Sequence, residues 1–470
     1  MKTLRDYQQV AVDRIVKRHR IILADERGLG KTATTLTAIQ QLVPTAVAAR
    51  SQVLVLAPST ALGVWQEETR EWLGSNYRTL LYSGESNPRK RDEIWRKNSE
   101  NPAYLVVATY AMVKELVKRQ RGWQAIVCDE YHIAGLMNPK STTFKAIKQL
   151  HCRFFLPLSG TPIRRGPQDL FGPLHLVDPT RFPSYWDFVE EHCITIPTAY
   201  GDSIEPRPRD PEAFRQMVQP YIIHRTKTKV LHDLPPKTRQ PIPITMTPTQ
   251  ARLYNEMEKD LMISGNGTEG LTIAPSHAVK LLRQRQLLVT PQILGYPEVG
   301  AAIPALVADI EAEFAVGRSV AVCTPFKAGI PFIVAAIKKN TETQDATIYV
   351  IHGGAKTPSR EVAAQFQSDK RAQKILVYTI ASGMSWNAFG ASTGFFVGYD
   401  WSALANLQAE DRLHRMGQRL PVHIYYYMHR DTVDDLVMDK LDDKTMAANW
   451  VLRTEELLQA LRTRATPTGR

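Results

Sequence analysis

Short, uninterrupted apolar runs recur along this chain, each closed by a polar or glycine-containing turn. One set comprises "RIILA" (20–24), "QVLVLAP" (52–58), "AYLVVAT" (103–109), "AIVCD" (125–129) and "FFLPLSG" (154–160). A second comprises "SVAVCTP" (319–325), "ATIYVIH" (346–352), "KILVYT" (374–379), "GFFVGY" (394–399) and "VHIYYY" (422–427). Runs without alternation mark strands covered on both faces, as in parallel sheets. Helical stretches such as "KTATTLTAIQQL" and "REVAAQFQSD" lie between them. The pattern therefore predicts an α/β protein of two doubly wound parallel-sheet lobes, each with five strands.

The middle of the chain, about 165–300, breaks this rhythm. Prolines crowd "EPRPRDPEAF" and "LPPKTRQPIPITMTP", and longer amphipathic segments follow in "PTQARLYNEMEKDLMI" and "AVKLLRQRQLLV". We read this region as helical insertions and the joint between lobes, with "SGNGTEG" (264–270) a flexible loop. The expected division is a first lobe at 1–165 and a helical insertion with a basic linker at 166–240. A helical segment follows at 241–300, then the second lobe at 301–450 and a helix end with a basic tail at 451–470.

Composition refines this picture without redirecting it. A chain of 470 residues exceeds one ordinary core, and 59 Lys+Arg against 47 Asp+Glu leave a net charge of +12. That excess favours a polyanionic partner and says nothing of fold. The cysteines Cys128, Cys152, Cys193 and Cys323 lack paired spacing, which argues against a disulfide framework or a zinc site. "MKTLRDYQQVAVDRI" has no apolar signal-peptide core, and no apolar run reaches membrane-spanning length. A soluble intracellular protein is expected.

The chemistry concentrates where strands end. "ADERGLGKT" follows the first run and opens a helix, so backbone N–H groups there can cradle phosphates. Lys31 adds charge and Thr32 reaches a magnesium ion, while Gly28 and Gly30 supply backbone freedom. The phosphate-loop pattern has glycine at its first place, where this chain has Asp25. In "AIVCDEYH", Asp129 suits a magnesium contact and Glu130 an attacking water, since parallel sheets bind ligands beyond the carboxyl ends of their strands. Ser159 and Thr161 in "LSGTPIRR" are placed to sense phosphate, or merely to cap a turn. In "QAEDRLHRMGQ" (408–418), Arg412 and Arg415 stand three apart, a spacing that puts two guanidiniums on one helix face.

Taken in order, these motifs resemble the Swi/Snf-type ATPase branch of helicase superfamily two, almost end to end. "LRDYQ", "DERGLGKT", "VLVLAPSTALGVWQEE", "VVATYAMV", "DEYH" and "LSGTP" are similar to the family's first-lobe motifs. "HRTKTKVLHDLPPKT", "TPTQARLYNEM" and "LLRQRQLLVTPQIL" resemble segments peculiar to the branch; "IHGG", "VYTIASGMSWN" and "DWSALANLQAEDRLHRMGQ" complete the second lobe. Tyr131 departs from the usual DEAH, and Trp386 is unexpected in its motif, where it either fills a pocket or stacks on a base.

The resemblance implies two RecA-like lobes with ATP and Mg2+ between them and a hinge that closes on ATP. Lys31, Asp129, Glu130, Arg412 and Arg415 would be catalytic, and Thr32 and Asp129 would hold the metal. Gln8, Gly28, Leu29, Gly30, Lys31, Thr32, Gly383 and Gln408 would contact the nucleotide, with Ser159 and Thr161 coupling the lobes. Ser59, Thr60, Thr109, Gly353 and Gly354 would hold DNA, with the basic run 224–239 as an added phosphate stripe, or as a solvated linker. The expected activity is a DNA translocase or helicase acting on duplex, forked or branched DNA in replication, recombination or repair, tracking one strand 3′ to 5′. Displacement of bound proteins without strand separation is the alternative, and a non-hydrolysing ATP-gated clamp a more distant one. A chain that is nearly all motor points to a compact bacterial or phage-type enzyme. It would be monomeric without DNA and cytoplasmic, or nuclear in a eukaryote.

Overall fold

The computed structural model describes residues 3–44, 52–83, 87–198, 201–231, 233–260, 262–263, 272–273, 277–382 and 386–435. They fall into two compact units, the first ending at residue 232 and the second beginning at 233.

In the first unit, five strands form a wholly parallel sheet: β2 (Val53–Ala57), β3 (Thr79–Tyr82), β4 (Leu105–Thr109), β5 (Gly122–Cys128) and β6 (His151–Pro157). Their order is β3-β4-β2-β5-β6. Single parallel bridges, Arg20 to Phe155 and Leu23 to Leu158, set β1 (Ile22–Leu23) beside β6. Alternate residues of one strand feed opposite cores: Leu54 and Leu56 join one apolar cluster, Val53, Val55 and Ala57 the other. Each buried valine or leucine side chain among them contributes about 1.5–3 kcal/mol. Burial on both faces is thus what holds the strands' carboxyl ends in one row. A hairpin of β7 (Cys193–Thr198) and β8 (Gly201–Pro208) precedes β9 (Ile222–Ile223), which pairs in parallel with β1.

The second unit contains β10 (Lys237–Ile244), a small antiparallel pair β11 (Met262–Ile263) and β12 (Thr272–Ile273), then β13 (Val320–Thr324), β14 (Thr347–Ile351), β15 (Lys374–Thr379), β16 (Thr393–Val397) and β17 (Val422–His429). Six of these form a parallel sheet in the order β10-β17-β16-β13-β15-β14. Its strands also split between two cores, with Ala321 and Cys323 in one and Val320 and Val322 in the other.

Two expectations need correction. The middle of the chain is not only helical, because it holds the β7–β8 hairpin and β10. Strand β10 carries Pro241 and Pro243, yet it lies at a sheet edge, where a missing N–H costs no ladder bond on the outer side. The first sheet also has β3 at its edge, outside the apolar runs, so five strands per lobe is too few. The loop expected at 264–270 and the tail 451–470 lie outside the described residues. All four cysteines are unpaired. Among the described residues, no helix is long and apolar enough to cross a membrane.

Candidate active site

β1 ends at Leu23, and the chain turns through Ala24–Gly30 into the helix Lys31–Leu42. Gly28 and Gly30 adopt φ of 82° and 74°, a left-handed backbone that glycine takes without strain. Gly30 is the N-cap, so the first-turn N–H groups of Lys31, Thr32 and Ala33 open toward the loop. Lys31 Nζ donates to the Asp25 carbonyl at 2.9 Å. Burial pulls its pKa down, with Glu130 and Asp25 pulling the other way. Asp25 itself is fully buried, and its carboxylate accepts two hydrogen bonds from Arg225, one of 2.9 Å from Nε to Oδ1 and one from Nη2 to Oδ2.

Gln8 grips this loop. Its amide donates to the Leu29 carbonyl at 3.1 Å and accepts from the Arg5 N–H at 2.9 Å, and the Tyr7 hydroxyl donates to the same Leu29 carbonyl at 3.1 Å. Leu29 packs with its side chain fully buried.

At the carboxyl end of β5, Asp129 Oδ2 accepts a 2.9 Å hydrogen bond from Trp65 Nε1. Burial raises the Asp129 pKa to about 7, with Glu130 adding to the rise and the Trp65 bond opposing it. Glu130 sits at φ 47°, a left-handed backbone that costs a non-glycine residue about 1–2 kcal/mol. Burial would raise its pKa, but Arg27, His132 and Lys31, with the Gly160 N–H, outweigh burial and lower it. Glu130 Oε1 lies 4.0 Å from Arg27 Nε, and Oε2 lies 3.2 Å from His132 Nδ1. That same Nδ1 is 2.9 Å from Ser159 Oγ, which accepts the Thr161 N–H at 2.9 Å. Glu130, His132, Ser159 and Thr161 thus form one polar chain. Burial lowers the His132 pKa to about 4, so its ring is neutral at pH 7. Tyr131 is fully buried, with its hydroxyl on the Pro162 carbonyl at 3.4 Å, so it packs against the segment carrying Thr161.

The residues present fit a magnesium nucleotide. Two half-buried carboxylates face a half-buried ammonium at a loop built of N–H donors. Among the described residues, no three acidic, His or Cys side chains gather into a metal cage. One carboxylate and one hydroxyl with substrate phosphates is the arrangement magnesium commonly takes.

In the second unit, the helix Ala403–Glu410 carries Gln408 and ends before both arginines. Arg412 and Arg415 therefore do not share a helix face, contrary to the spacing argument. The chain tightens instead into turns, with the Leu413 N–H on the Glu410 carbonyl at 3.0 Å and Gly417 at φ 103°. The two side chains nonetheless converge on adjacent residues. Arg412 Nη1 donates to the Trp386 carbonyl at 2.9 Å, and Arg415 Nη1 donates to Asn387 Oδ1. Arg412 is buried, with its guanidinium 5.1 Å from the Trp386 ring centroid. Trp386 is itself buried, edge-on to Tyr378 at 5.2 Å. It fills a pocket and offers no face to a base. Gly383 lies outside the described residues.

The candidate DNA contacts stand at strand ends as well. Ser59 and Thr60 are exposed after β2, and Thr109 closes β4, half-buried. Gly353 and Gly354 are exposed after β14, the latter at φ 80°. A Cβ at Gly354 would lie 3.5 Å from Lys327 Nζ, which places that ammonium at the same loop.

The profile of the SNF2-related domain matches residues 7–293 of this chain. The chain belongs to that family. The class of enzyme that goes with the family is a DNA-dependent ATPase. Relatives of this SNF2-family chain include the CHD3-type chromatin-remodeling factor CHR7 of Arabidopsis thaliana, 25% identical over 94% of this chain and 36% of the relative. Human TATA-binding protein-associated factor 172 is also 25% identical, over 96% of this chain and 28% of its own length. The chain thus spans only about a third of the curated relatives it matches. A solved SWI2/SNF2 ATPase core of Sulfolobus solfataricus in complex with double-stranded DNA aligns over 97% of this chain and 96% of its own, at 22% identity and a TM-score of 0.45.

Several residues of this SNF2-family chain escaped the sequence reading. Trp65 stood inside a quoted motif, but only the fold shows its indole on Asp129. The run 224–239 is not an open phosphate stripe: Arg225 turns onto Asp25, and Lys237 and Arg239 bind the fully buried Glu410 at 2.7 Å. Charge was visible in that run, whereas its acidic partners lie far away in sequence.

Proposed function

We propose that this SNF2-family chain hydrolyses ATP in a DNA-dependent manner and converts the cycle into movement along DNA, remodelling or unwinding forked or branched structures in replication, recombination or repair. One observation carries the reading. In the first unit the carboxyl ends of neighbouring strands present the half-buried Lys31, Asp129 and Glu130 beyond β1 and β5, and exposed Ser59 and Thr60 beyond β2, which adjoins β5. Nucleotide and track would then meet the same rigid row of strand ends.

In this reading the ATP phosphates take the loop N–H groups and Lys31, whose amine exchanges the Asp25 carbonyl for phosphate oxygen. The ionised Glu130 orients the attacking water and receives its proton. Magnesium, when bound through Thr32 and Asp129, would neutralise phosphate charge. The chain through His132, Ser159 and Thr161 reports a change at Glu130 to the segment after β6. Arg412 and Arg415 would supply the cations that stabilise the charge of the transition state, with Gln408 contacting the nucleotide. Ser59, Thr60, Thr109, Gly353 and Gly354, with Lys327, hold the strand through phosphate contacts that read no sequence.

The relatives named above, a chromatin-remodeling factor and a TATA-binding protein-associated factor, favour a second reading: translocation on duplex DNA that displaces bound proteins without separating strands. Purified protein on forked, junction, blunt and triplex substrates distinguishes the two. Strand separation on forks supports the first. Triplex displacement without unwinding supports the second. ATP-dependent DNA binding with no turnover would sink both.

A further inference from the structure

Asp25 stands where the phosphate-loop pattern has glycine, and its carboxylate is entirely buried beneath the loop. A buried ion pair is weak evidence for stability, because apolar residues of similar volume often serve as well or better. What such a pair does fix is geometry, and here the geometry bears on the nucleotide loop. Arg225 meets both oxygens of Asp25, donates through Nη1 to the Tyr7 carbonyl, and lies 5.1 Å above the Tyr7 ring. The backbone on either side reinforces the contact. The Ala24 N–H donates to the Ile223 carbonyl at 2.7 Å, and the Glu26 N–H to the Arg225 carbonyl at 2.9 Å. Glu26 Oε2 accepts the Lys227 N–H at 2.7 Å. Residues 222–227 therefore run beside residues 22–26 as a splint, and Arg225 is a two-point side-chain clamp on it. The Asp25 carbonyl at the centre of this clamp is the acceptor that holds Lys31 Nζ.

We propose that Arg225 is a positioning residue for the nucleotide. By holding Asp25 from beneath, it sets the height of the loop and the direction of Lys31. The inference rests on reading this loop as the ATP site. A lysine cannot reproduce a two-point fork, so charge alone will not suffice.

The test uses the full chain and a fluorescent ADP analogue with magnesium, well below the melting temperature, so that binding is read without turnover. The double variant Asp25→Leu with Arg225→Met replaces the buried pair by apolar groups and is expected to melt at or above the wild-type temperature. It should nevertheless bind the analogue roughly tenfold more weakly, as should Arg225→Lys, which covers the case in which the double variant misfolds. A folded double variant, or a folded Arg225→Lys, that binds within twofold of wild type overturns the proposal and leaves the pair a structural contact. Wild type that binds the analogue but gains no ATPase from DNA refutes the proposed function alone. Wild type that does not bind the analogue overturns both.

Discussion

Glu410 lies two residues before Arg412, wholly buried, and is held by Lys237 and Arg239 of β10 and by the Tyr426 hydroxyl. Burial alone would raise its pKa, but Lys237 and Arg239 outweigh burial and hold it below the usual carboxylate range. Glu410→Gln removes the charge and leaves two cations facing a neutral amide. Stranding one partner of a buried pair costs about 3–5 kcal/mol. Arg239 keeps 48% of its side chain exposed and Lys237 15%, so water takes over part of their solvation. We therefore expect about 2–3 kcal/mol. For a unit of this size each kcal/mol moves Tm by about 2–4 °C, which gives a fall of about 4–12 °C by calorimetry on the full chain. The pH dependence has a definite sign. A carboxylate with a lowered folded pKa contributes stability that is complete above its unfolded pKa and is lost as pH falls through the folded value. The Tm gap between wild type and Glu410→Gln should thus be constant from pH 8 to about 5 and shrink below about 4.5. A gap under about 1 °C at pH 7, or one that widens in acid, would refute the reasoning.

Three further outcomes follow from the site. Trp386→Ala removes the ring beneath Arg412; a desolvated cation–π contact is worth about 2 kcal/mol, so turnover at saturating ATP and DNA should fall up to roughly thirtyfold while nucleotide binding changes little. Trp65→Phe deletes the donor to Asp129, a charge-assisted bond worth about 1.5–3 kcal/mol, and a magnesium titration of ATPase activity should show a requirement at least about tenfold higher. In Gly160→Ala the new Cβ would lie 2.4 Å from Arg27 Cγ, forcing that flexible side chain away from Glu130. Steady-state assays should then show about a tenfold loss in kcat with Tm nearly unchanged, and a loss of stability without loss of kcat would count against it.

Much of the architecture was readable because strands buried on both faces leave unbroken apolar runs, as in β2, β13 and β15. Strand β10 was not, since "KTRQPIPI" is exposed over most of its length and owes its conformation to pairing with β17. The placement of the glycine loop and of the Asp129–Glu130 pair at strand ends was legible because the residues of each are contiguous. Asp25 with Arg225 and Glu410 with Arg239 were not, because each pair closes over a long stretch of chain, and even Asp25, which stands out in its loop, has its ion-pair partner far away in sequence. A spacing of three also fits a turn as well as a helix, which is why Arg412 and Arg415 converge on Trp386 and Asn387 without a helix beneath them.

In the proposed function, Glu130 and its neighbours hydrolyse ATP in response to DNA. The most direct measurement is phosphate release by the full chain, with and without duplex DNA, for wild type and Glu130→Gln at saturating magnesium ATP. Strong stimulation of the wild type and loss of release in the variant, with ATP still bound, are the expected results. DNA-independent release, or a variant as active as wild type, would contradict it.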